Sequence, residues 1–249
     1  MPRLMLSDEL WPKLLGILLQ MNVYYKKELR NTVEGILFRI RTGLPWRDLP
    51  SAFGHWNSVY KKFNAWSRKG IWKRLLDALV IEPDLEWIFI DGSYVKAHQH
   101  SAGAAGGNPE SIGVSRAGRT SKIHLLVDVF GLPYGFTLTG GEIHDATAAP
   151  DLIEKIAGGN TVIADKGYDS EKIRTQIEAN DMTSVIPRRK NSKRGNEGFD
   201  WHLYKYRHLV ENAFARLKHF RGVATRYDKL ARNYESVVAL ACAFIWLPM

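Results

Sequence analysis

Apolar residues follow two different patterns along this chain, and the change comes near residue 82. Before it, apolar residues recur every three or four positions, which predicts α-helices. After it, they form short continuous runs bounded by Gly, Pro and Asp, which predicts buried strands. The sequence Glu82-Pro83-Asp84 breaks the helical pattern and suits a domain boundary. We therefore expect two domains, residues 1–82 and residues 83–249.

The first domain is predicted to be all-helical, with Ser7 as a suitable N-cap of its first helix. Its helices are expected at residues 7–21, 31–43, 55–70 and 71–80, with a short helical piece at 44–54. In the third of these helices, polar and basic residues flank an aromatic core stripe: Asn57, Lys61, Lys62, Arg68 and Lys69. A helix, a glycine turn and a basic helix are typical of a helix-turn-helix DNA-binding domain, but also of a plain three-helix bundle.

The second domain is predicted to contain a mixed sheet. Its strands are expected at residues 85–90, 121–131, 132–141, 161–165 and 183–188, and its helices at 145–157, 170–180 and 204–220. The second and third strands are joined at Gly131-Leu132-Pro133, most simply as an antiparallel pair. The predicted order is three strands followed by helix, strand, helix, strand and helix. This is the order of an RNase H-like fold, an α/β sheet flanked by helices.

The last predicted helix of this domain carries two neighbouring stripes. Its apolar residues gather on one face, and a polar stripe borders that face: Tyr204, Arg207, Glu211 and Lys218. One interpretation is a solvated surface in which Arg207 and Glu211 form an ordinary i,i+4 ion pair. The other is a functional stripe overlooking the edge of the sheet on which the helix packs.

Composition indicates a globular protein with a polyanionic partner. The chain has 249 residues, 45% of them hydrophobic, a net charge of +9 and a pI of about 9.6. Cys242 is its only cysteine, which excludes a disulfide framework and fits a reducing cytosol. Residues 236–247 are apolar but too short to span a bilayer, so we expect a core helix or an oligomer contact and no membrane partner. The N-terminus lacks the layout of a signal peptide, which predicts a cytoplasmic protein.

Three carboxylates stand at positions where catalysis is expected. Asp91 and Asp165 each close a short apolar strand, and ligands gather at strand ends in open α/β sheets. If the two strands are adjacent, these aspartates meet at one sheet edge, which the helix carrying Glu211 overlooks. Oxygen-only ligands suit Mg²⁺ or Mn²⁺, and two such ions support phosphodiester displacement. Arg207 and Lys218 would then hold the phosphate backbone.

Other acidic and histidine residues are interpreted as structural. His98, His100, His124 and His144 do not have zinc-motif spacing, so core or loop positions are expected. For the remaining aspartates, Asp128 is expected in a turn, Asp145 as a helix N-cap and Asp169 at the start of the next helix.

Five stretches of the chain carry a family resemblance. They are residues 42–72, DGSYVKAH at 91–98, residues 118–145, ADKGYDS at 164–170, and the spaced set Tyr204-x2-Arg207-x3-Glu211-x6-Lys218. Together they resemble the DDE transposases of bacterial insertion sequences, in particular the insertion sequence five family, whose Y-R-E-K signature has the spacing of the last set. The match covers nearly the whole chain.

The resemblance implies an RNase H-like core in which Asp91, Asp165 and Glu211 form the DDE triad. It further implies Mg²⁺-dependent cleavage and strand transfer of the element's own ends, double-stranded DNA as partner, and a dimer that brings two ends together. Tyr168 has two interpretations, stacking on a base flipped near the cleavage site or packing beside Asp165.

Two other functions remain open on the sequence. A DNA-binding regulator would need only the helical domain, although an intact triad argues against a retired catalytic site. A metal-dependent nuclease without strand transfer would use the same three carboxylates, and only the family resemblance separates it from a transposase.

Overall fold

The structure is a computed structural model that describes residues 2–101, 111–192 and 194–249. In chain order its helices are α1 (Leu10–Gln20), α2 (Leu29–Thr42), α3 (Trp56–Arg68), α4 (Ile71–Leu79), α5 (Asp145–Ile153), α6 (Glu171–Glu178), α7 (Trp201–Tyr204), α8 (His208–Lys218), α9 (Arg221–Ala224) and α10 (Ala231–Trp246). The strands are β1 (Trp87–Ala97), β2 (Gly113–Ser115), β3 (Gly118–Val127), β4 (Pro133–Gly140), β5 (Thr161–Ala164), β6 (Thr183–Val185) and β7 (Thr225–Arg226). Short 3-10 helices lie at Trp46–Asp48, Ser51–Phe53, Gln99–Ser101, Lys166–Tyr168 and Lys205–Arg207.

The chain forms two compact units. The helical unit contains the described parts of residues 1–81, 98–107 and 217–249, and the sheet unit those of 82–97 and 108–216. The chain passes from the helical unit to the sheet unit after residue 81, where the apolar pattern of the sequence changes. That residues 1–82 bind DNA and residues 83–249 carry the catalytic site stays a prediction.

In the helical unit, the C-terminal helix packs with helices from the start of the chain. Helix α10 lies against α3 and α4, and its buried residues include Val237, Leu240 and Cys242. The facing core contains Phe63 and Trp72, whose rings are 6.2 Å apart. The apolar run near the C-terminus is therefore a core helix. The change of pattern near residue 82 predicts that this helix belongs to the second domain, whereas its apolar surface is covered by the N-terminal helices.

Helix ends in this unit follow the expected local chemistry. Helix α2 ends at Gly43, which has a φ of 71°, a left-handed conformation that favours glycine. The piece predicted at 44–54 forms two short 3-10 helices, and α3 follows. No helix in the described parts of the chain is long and apolar enough to cross a membrane.

The sheet unit has the strand order of an RNase H-like fold. Its central path is β2-β3-β1-β5-β6, and β4 also pairs with β3. The pairs formed by β3 with β1, β2 and β4 are antiparallel, whereas β5 is parallel to both β1 and β6. The predicted pairing of the second and third strands is confirmed as β3–β4, and the fold class is as the sequence predicts.

Alternation along β1 separates two faces of the sheet. Ile88 and Ile90 enter a core cluster with buried residues of α5 and α6. Trp87 points the other way, and its ring lies 5.3 Å from that of Tyr206, just before α8. Because side chains in a strand alternate, Asp91 lies on the face that carries α8, and Gly92 lies on the face that carries α5.

Two local predictions for the sheet unit differ in outcome. Strand β1 does not end at Asp91, as the apolar pattern predicts, but continues to Ala97, because β3 pairs with it as far as Lys96. Asp128 forms the expected turn after β3. Its Oδ1 accepts hydrogen bonds from the backbone N–H groups of Phe130 (3.0 Å) and Leu132 (2.8 Å).

The predicted N-cap role of Asp145 is wrong. Asp145 is the first residue of α5, the N-cap is His144, and no side chain caps the helix. The Asp145 carboxylate instead meets the Lys122 ammonium at 2.7 Å and His124 Nδ1 at 3.4 Å. Alternation places Lys122 and His124 on one face of β3, where their side chains are 4% and 0% exposed. Two nearly buried basic groups thus hold Asp145 toward the sheet.

The electrostatics of Asp145 reflect this contact. Burial acts to raise the pKa of the Asp145 carboxyl, but hydrogen bonds from His124 and Lys122 outweigh it, so its pKa is lowered. His124 Nε2 also lies 2.9 Å from Thr139 Oγ1 on β4. This Lys122–Asp145–His124 cluster joins α5 to β3 and β4.

We predict that Asp145→Asn destabilises the protein by about 3 kcal/mol, because it leaves the buried Lys122 charge without its counter-charge. Thermal unfolding followed by circular dichroism should show a melting temperature lower by roughly 6–12 °C. Asp151→Asn, on an exposed position of the same helix, should melt like the wild type. The double change Lys122→Met with Asp145→Leu should lose less stability than Asp145→Asn alone. A wild-type melting temperature for Asp145→Asn would contradict this account.

Candidate active site

Strand pairing brings the two predicted aspartates together. In the parallel pair of β1 and β5, Ile90 lies opposite Ala164, so Asp91 and Asp165 are the next residues on neighbouring strands. Strands of a sheet lie about 4.8 Å apart. The condition set by the sequence, that these two strands be adjacent, is therefore met.

Backbone amides orient both carboxylates. Asp91 Oδ1 accepts a hydrogen bond from Gly92 N–H at 2.8 Å, and Asp165 Oδ1 accepts one from Gly167 N–H at 2.7 Å. The second bond makes Asp165 the N-cap of the 3-10 helix Lys166–Tyr168. In each aspartate, one oxygen is held by the chain's own backbone, which limits the rotation of the carboxylate.

Burial and neighbouring charges both affect the ionisation of Asp91. Burial raises the pKa of the Asp91 carboxyl, and the charges of Asp165 and Asp145 raise it further. The Gly92 amide and the Arg207 guanidinium act in the opposite direction, without cancelling the rise. A cation placed among these carboxylates would therefore be stabilised.

Arg207 connects Asp91 with Glu211. Its Nη1 lies 2.8 Å from Asp91 Oδ2, and its Nη2 contacts Glu211 Oε1. Arg207 ends the 3-10 helix Lys205–Arg207, which replaces the continuous helix expected from residue 204. The polar stripe therefore overlooks the sheet edge, as the functional interpretation predicts. It also contains the i,i+4 ion pair of Arg207 with Glu211, as the alternative interpretation predicts. The Glu211 side chain is 54% exposed, so this acid lies at the open side of the group.

The remaining signature residues flank this pair. Tyr204 ends α7 and is half-buried; burial raises the pKa of its hydroxyl, and neighbouring Arg207 partly offsets the rise. Lys218 is the last residue of α8, about two turns beyond Glu211. Burial lowers the pKa of its ammonium group.

A basic cavity of about 780 Å³ opens beside Asp165 and Arg207. Its other lining residues come from the 3-10 helix after β5, from the loop after β6 and from α7: Lys166, Gly167, Pro187, Arg188, Arg189, Lys190, Asn196, Trp201 and Tyr204. From the sequence this loop is predicted only to be basic, with no site residues in it. The charge run RRKNSKR shortly before the signature helix is the signal that could have found them.

Asp169 holds this basic loop in place. Its carboxylate accepts hydrogen bonds from Arg174 Nη2 at 2.9 Å and from the Arg189 backbone N–H at 2.8 Å. Burial acts to raise the pKa of Asp169, but these bonds and the charges of Arg174 and Arg188 lower it overall. Asp169 therefore does more than precede α6, because it anchors one wall of the cavity.

Tyr168 is not available for stacking on a base. Its side chain is 1% exposed and belongs to the core cluster beneath the sheet edge. Burial raises the pKa of its hydroxyl well above the ordinary value, and the carboxylates of Asp145, Asp91 and Asp165 add to this. Of the two interpretations, the structure has the one in which Tyr168 packs beside Asp165.

The polar residues predicted to contact DNA in the first domain lie on helix α3 or directly after it. Lys61, Lys62 and Arg68 are exposed, and Asn57 is partly exposed. Lys69 follows the last residue of the helix, and Lys62 Nζ lies 5.6 Å from the centre of the Trp66 ring. They belong to the helical unit and form a basic surface there.

The donor chemistry of the carboxylate group fits a divalent metal. Within the described residues, no group of three or more His, Cys, Asp or Glu side chains has the arrangement of a preformed metal site. Instead, Arg207 supplies the positive charge between Asp91 and Glu211. Oxygen-only donors and the mutual repulsion of Asp91 and Asp165 nevertheless match what Mg²⁺ or Mn²⁺ requires.

Two family descriptions match this chain. "Transposase DDE domain" matches residues 82–246, which include the three carboxylates. "Putative transposase of IS4/5 family" matches residues 6–76, which include α1 to α3. Together they cover most of both units.

Individual relatives point the same way. The chain is 36% identical over 128 residues to a putative transposase for insertion sequence element IS6501 from Brucella ovis, covering 51% of this chain and 98% of that protein. It is 31% identical over 141 residues to a putative transposase for IS402 from Burkholderia cepacia, covering 52% of this chain and 64% of the relative.

A solved piggyBac transposase synaptic complex with hairpin DNA is similar in structure with a TM-score of 0.43 and 10% identity. It covers 75% of this chain and half of the solved one. That score is too low to carry an argument, and the family rests on the domain matches. The chain therefore belongs to the DDE transposases and is an enzyme of DNA transposition.

Proposed function

We propose that this transposase binds the terminal inverted repeats of its own insertion sequence and catalyses Mg²⁺-dependent cleavage and strand transfer of those ends. The observation that supports the proposal is that the pairing of β1 with β5 brings Asp91 next to Asp165, while Arg207 bridges Asp91 and Glu211 beside a basic cavity. The protein would act on DNA in the bacterial cytoplasm, at the nucleoid, as a homodimer that holds two ends.

Asp91, Asp165 and Glu211 would hold two Mg²⁺ ions, and Mn²⁺ would substitute for them. When bound, such ions activate a water or a 3′-hydroxyl and stabilise the leaving oxygen in phosphodiester displacement. The protein's part is to present carboxylate oxygens in a fixed direction. The Gly92 and Gly167 amides do this for the two aspartates.

Arg207 would have one role before DNA binds and another afterwards. In the protein alone it neutralises Asp91 and Glu211. A guanidinium binds phosphate with the same two-point geometry that it uses for carboxylates. We propose that Arg207 transfers to a phosphate next to the cleaved bond, and that Lys218 contacts the backbone farther along. The guanidinium would thus neutralise the two acids until substrate arrives.

The basic cavity would hold the DNA strand that enters the site. Its lining includes the basic residues Arg188, Arg189 and Lys190 and the aromatic residues Trp201 and Tyr204. Cations bind phosphates without reading sequence, and aromatic faces accept any base. This combination suits a strand that must be held close to Asp165 whatever sequence flanks the cut.

The first prediction for this function concerns the triad. Asp91→Asn, Asp165→Asn and Glu211→Gln should each abolish cleavage and strand transfer of element-end DNA, because each removes a charged metal ligand. Binding to the same DNA should persist in a gel-shift assay, since the helical domain supplies recognition. Wild-type activity should require Mg²⁺ or Mn²⁺ and fail with Ca²⁺, whose larger and looser coordination shell suits in-line displacement poorly.

Asp181→Asn, on an exposed residue after α6, is the matched control and should keep full activity. If any triad variant cleaves at near the wild-type rate with Mg²⁺, that residue is not a ligand. Pre-cut ends separate the alternatives: a nuclease would cleave intact ends but join no pre-cut end to target DNA. A DNA-binding regulator would do neither.

The second prediction concerns Arg207. Arg207→Ala should reduce end cleavage by roughly 100-fold or more, because a charge-assisted phosphate contact is lost at the reacting bond. Its melting temperature should fall by only a few degrees, because the pair with Glu211 is half exposed and contributes little, so that the fall comes from the less exposed pair with Asp91. Arg207→Lys should recover part of the activity. A large loss of stability with normal cleavage would show that the ion pairs are the whole role of Arg207.

The third prediction concerns the face of α3. Replacing Lys61 and Lys62 with alanine should weaken binding to all DNA and flatten its dependence on salt, because fewer counterions are released. Lys26 and Lys27 form a second adjacent and exposed pair, outside α3. Their double alanine variant should keep the wild-type salt slope in fluorescence anisotropy titrations. Equal slopes for the two double variants would remove α3 from the DNA interface.

A further inference from the structure

The helical unit contains a cavity of about 530 Å³ that the proposed catalytic chemistry does not use. Residues from α2, the 3-10 helix Trp46–Asp48, α3 and the start of α10 line it. A volume of several hundred Å³ is typical of sites for small ligands. Its walls combine aromatic rings, basic groups and two buried polar atoms, and these decide what ligand it suits.

Two residues that line the cavity each have a buried polar atom with no hydrogen-bond partner within the described chain. Arg39 is 3% exposed and directs Nη1 and Nη2 to Asp228, but its Nε is without an acceptor. Asn233 is 4% exposed, and its Oδ1 is without a donor. Buried polar atoms are nearly always paired, because an unpaired one loses its hydration without compensation. A free donor and a free acceptor in one cavity therefore point to a ligand that carries both.

Aromatic rings form the walls around these atoms. The Arg39 guanidinium lies over the Trp46 ring at 4.9 Å, and the rings of Trp46 and Tyr60 are 5.5 Å apart. Trp56 also lines the cavity and has Arg47 over its ring at 5.7 Å. Flat aromatic faces with polar atoms between them suit a planar heterocycle.

Of the charged residues that line the cavity, one cation and the carboxylate form an ion pair, and two cations remain for a phosphate. Three cationic residues and one carboxylate line the cavity, and the carboxylate, Asp228, is neutralised by Arg39 at 3.0 Å. Arg47 and Lys229 are exposed. The buried part is thus polar but neutral, and the exposed part is positive. This suits a base placed inside with its phosphate outside, rather than a phosphate placed inside.

From these observations we infer that the cavity accepts one unpaired nucleobase of bound DNA. The base stacks on the aromatic walls and pairs its donor and acceptor with Asn233 Oδ1 and Arg39 Nε, while Arg47 and Lys229 contact the flanking phosphates. Base edges carry donors and acceptors, and a base must leave the duplex before a protein cavity can surround it. The inference rests on the proposed function in that the base belongs to DNA bound by the transposase.

The test compares binding of the full-length protein to two DNA duplexes that differ by one unpaired adenine. Wild-type protein should bind the bulged duplex roughly tenfold more tightly than the paired one, within the range that base–aromatic stacking supplies. Asn233→Leu should abolish that preference while leaving affinity for the paired duplex unchanged. Its melting temperature should not fall, because the replaced oxygen has no partner to lose; a purely structural asparagine would show a fall.

Asn31→Leu is the matched control, because Asn31 is an exposed residue of α2 that does not line the cavity; it should keep the preference. Asn233→Ala is the second variant if the leucine disturbs folding. Free dAMP, titrated at the same concentrations, separates the two sources of a base. Failure of dAMP to bind supports a DNA-borne base, whereas tight dAMP binding that Asn233→Leu removes would overturn that assignment.

The remaining outcomes distinguish this inference from the proposed function. Equal wild-type affinity for both duplexes overturns the base cavity and leaves DNA binding intact. A preference that survives in both Asn233 variants also overturns it. If the wild type binds neither duplex, the proposed function fails, and the inference fails with it.

Discussion

The parallel pairing of β1 with β5 is the constraint on which the candidate active site depends. It places Asp91 beside Asp165 and leaves two carboxylates at one partly buried edge, where their charges repel. A positive charge nearby stabilises such an arrangement. In the protein alone Arg207 supplies it, by bridging Asp91 and Glu211. The same repulsion explains why the site would attract divalent cations and phosphate-bound metal. Stability and the proposed catalysis therefore share one electrostatic requirement.

On the opposite face of β1, a separate charged cluster supports the strand next to Asp91. Gly92 follows Asp91 and points to the other side of the sheet, where a Cβ would collide with Asp145. Lys122 and His124 hold the Asp145 carboxylate there, and the buried ring of Tyr168 lies nearby. The backbone between the two faces is thus confined on both sides. A rigid backbone at Asp91 suits a site whose carboxylates must be held in one geometry.

The two units each combine aromatic rings with basic groups around a cavity, but they differ in what the cavity interior offers. In the sheet unit the interior reaches the carboxylate Asp165 and the guanidinium Arg207, which suits a phosphate and the proposed chemistry. In the helical unit the interior has a neutral ion pair and unpaired atoms of Arg39 and Asn233, which suits a base. DNA recognition and DNA chemistry would therefore use the same types of residue. The charged groups would lie inside the cavity of the sheet unit, but outside the neutral interior of the cavity in the helical unit.

Local features of this protein could be predicted from the sequence, because they depend on neighbouring residues. The end of α2 at Gly43, the antiparallel pair β3–β4 and the polar stripe containing Arg207 and Glu211 follow from backbone preference and periodicity. Features that depend on residues distant in the chain were predicted only conditionally, as for Asp91 and Asp165, which meet because their strands are adjacent, or not at all. The pairing of Asp145 with Lys122 and the cover that the N-terminal helices give α10 leave no local pattern. The sequence by itself determined which side chains were available and the order of the elements. Only the tertiary structure decided which of them meet, because burial and ion pairing are properties of contacts between distant segments.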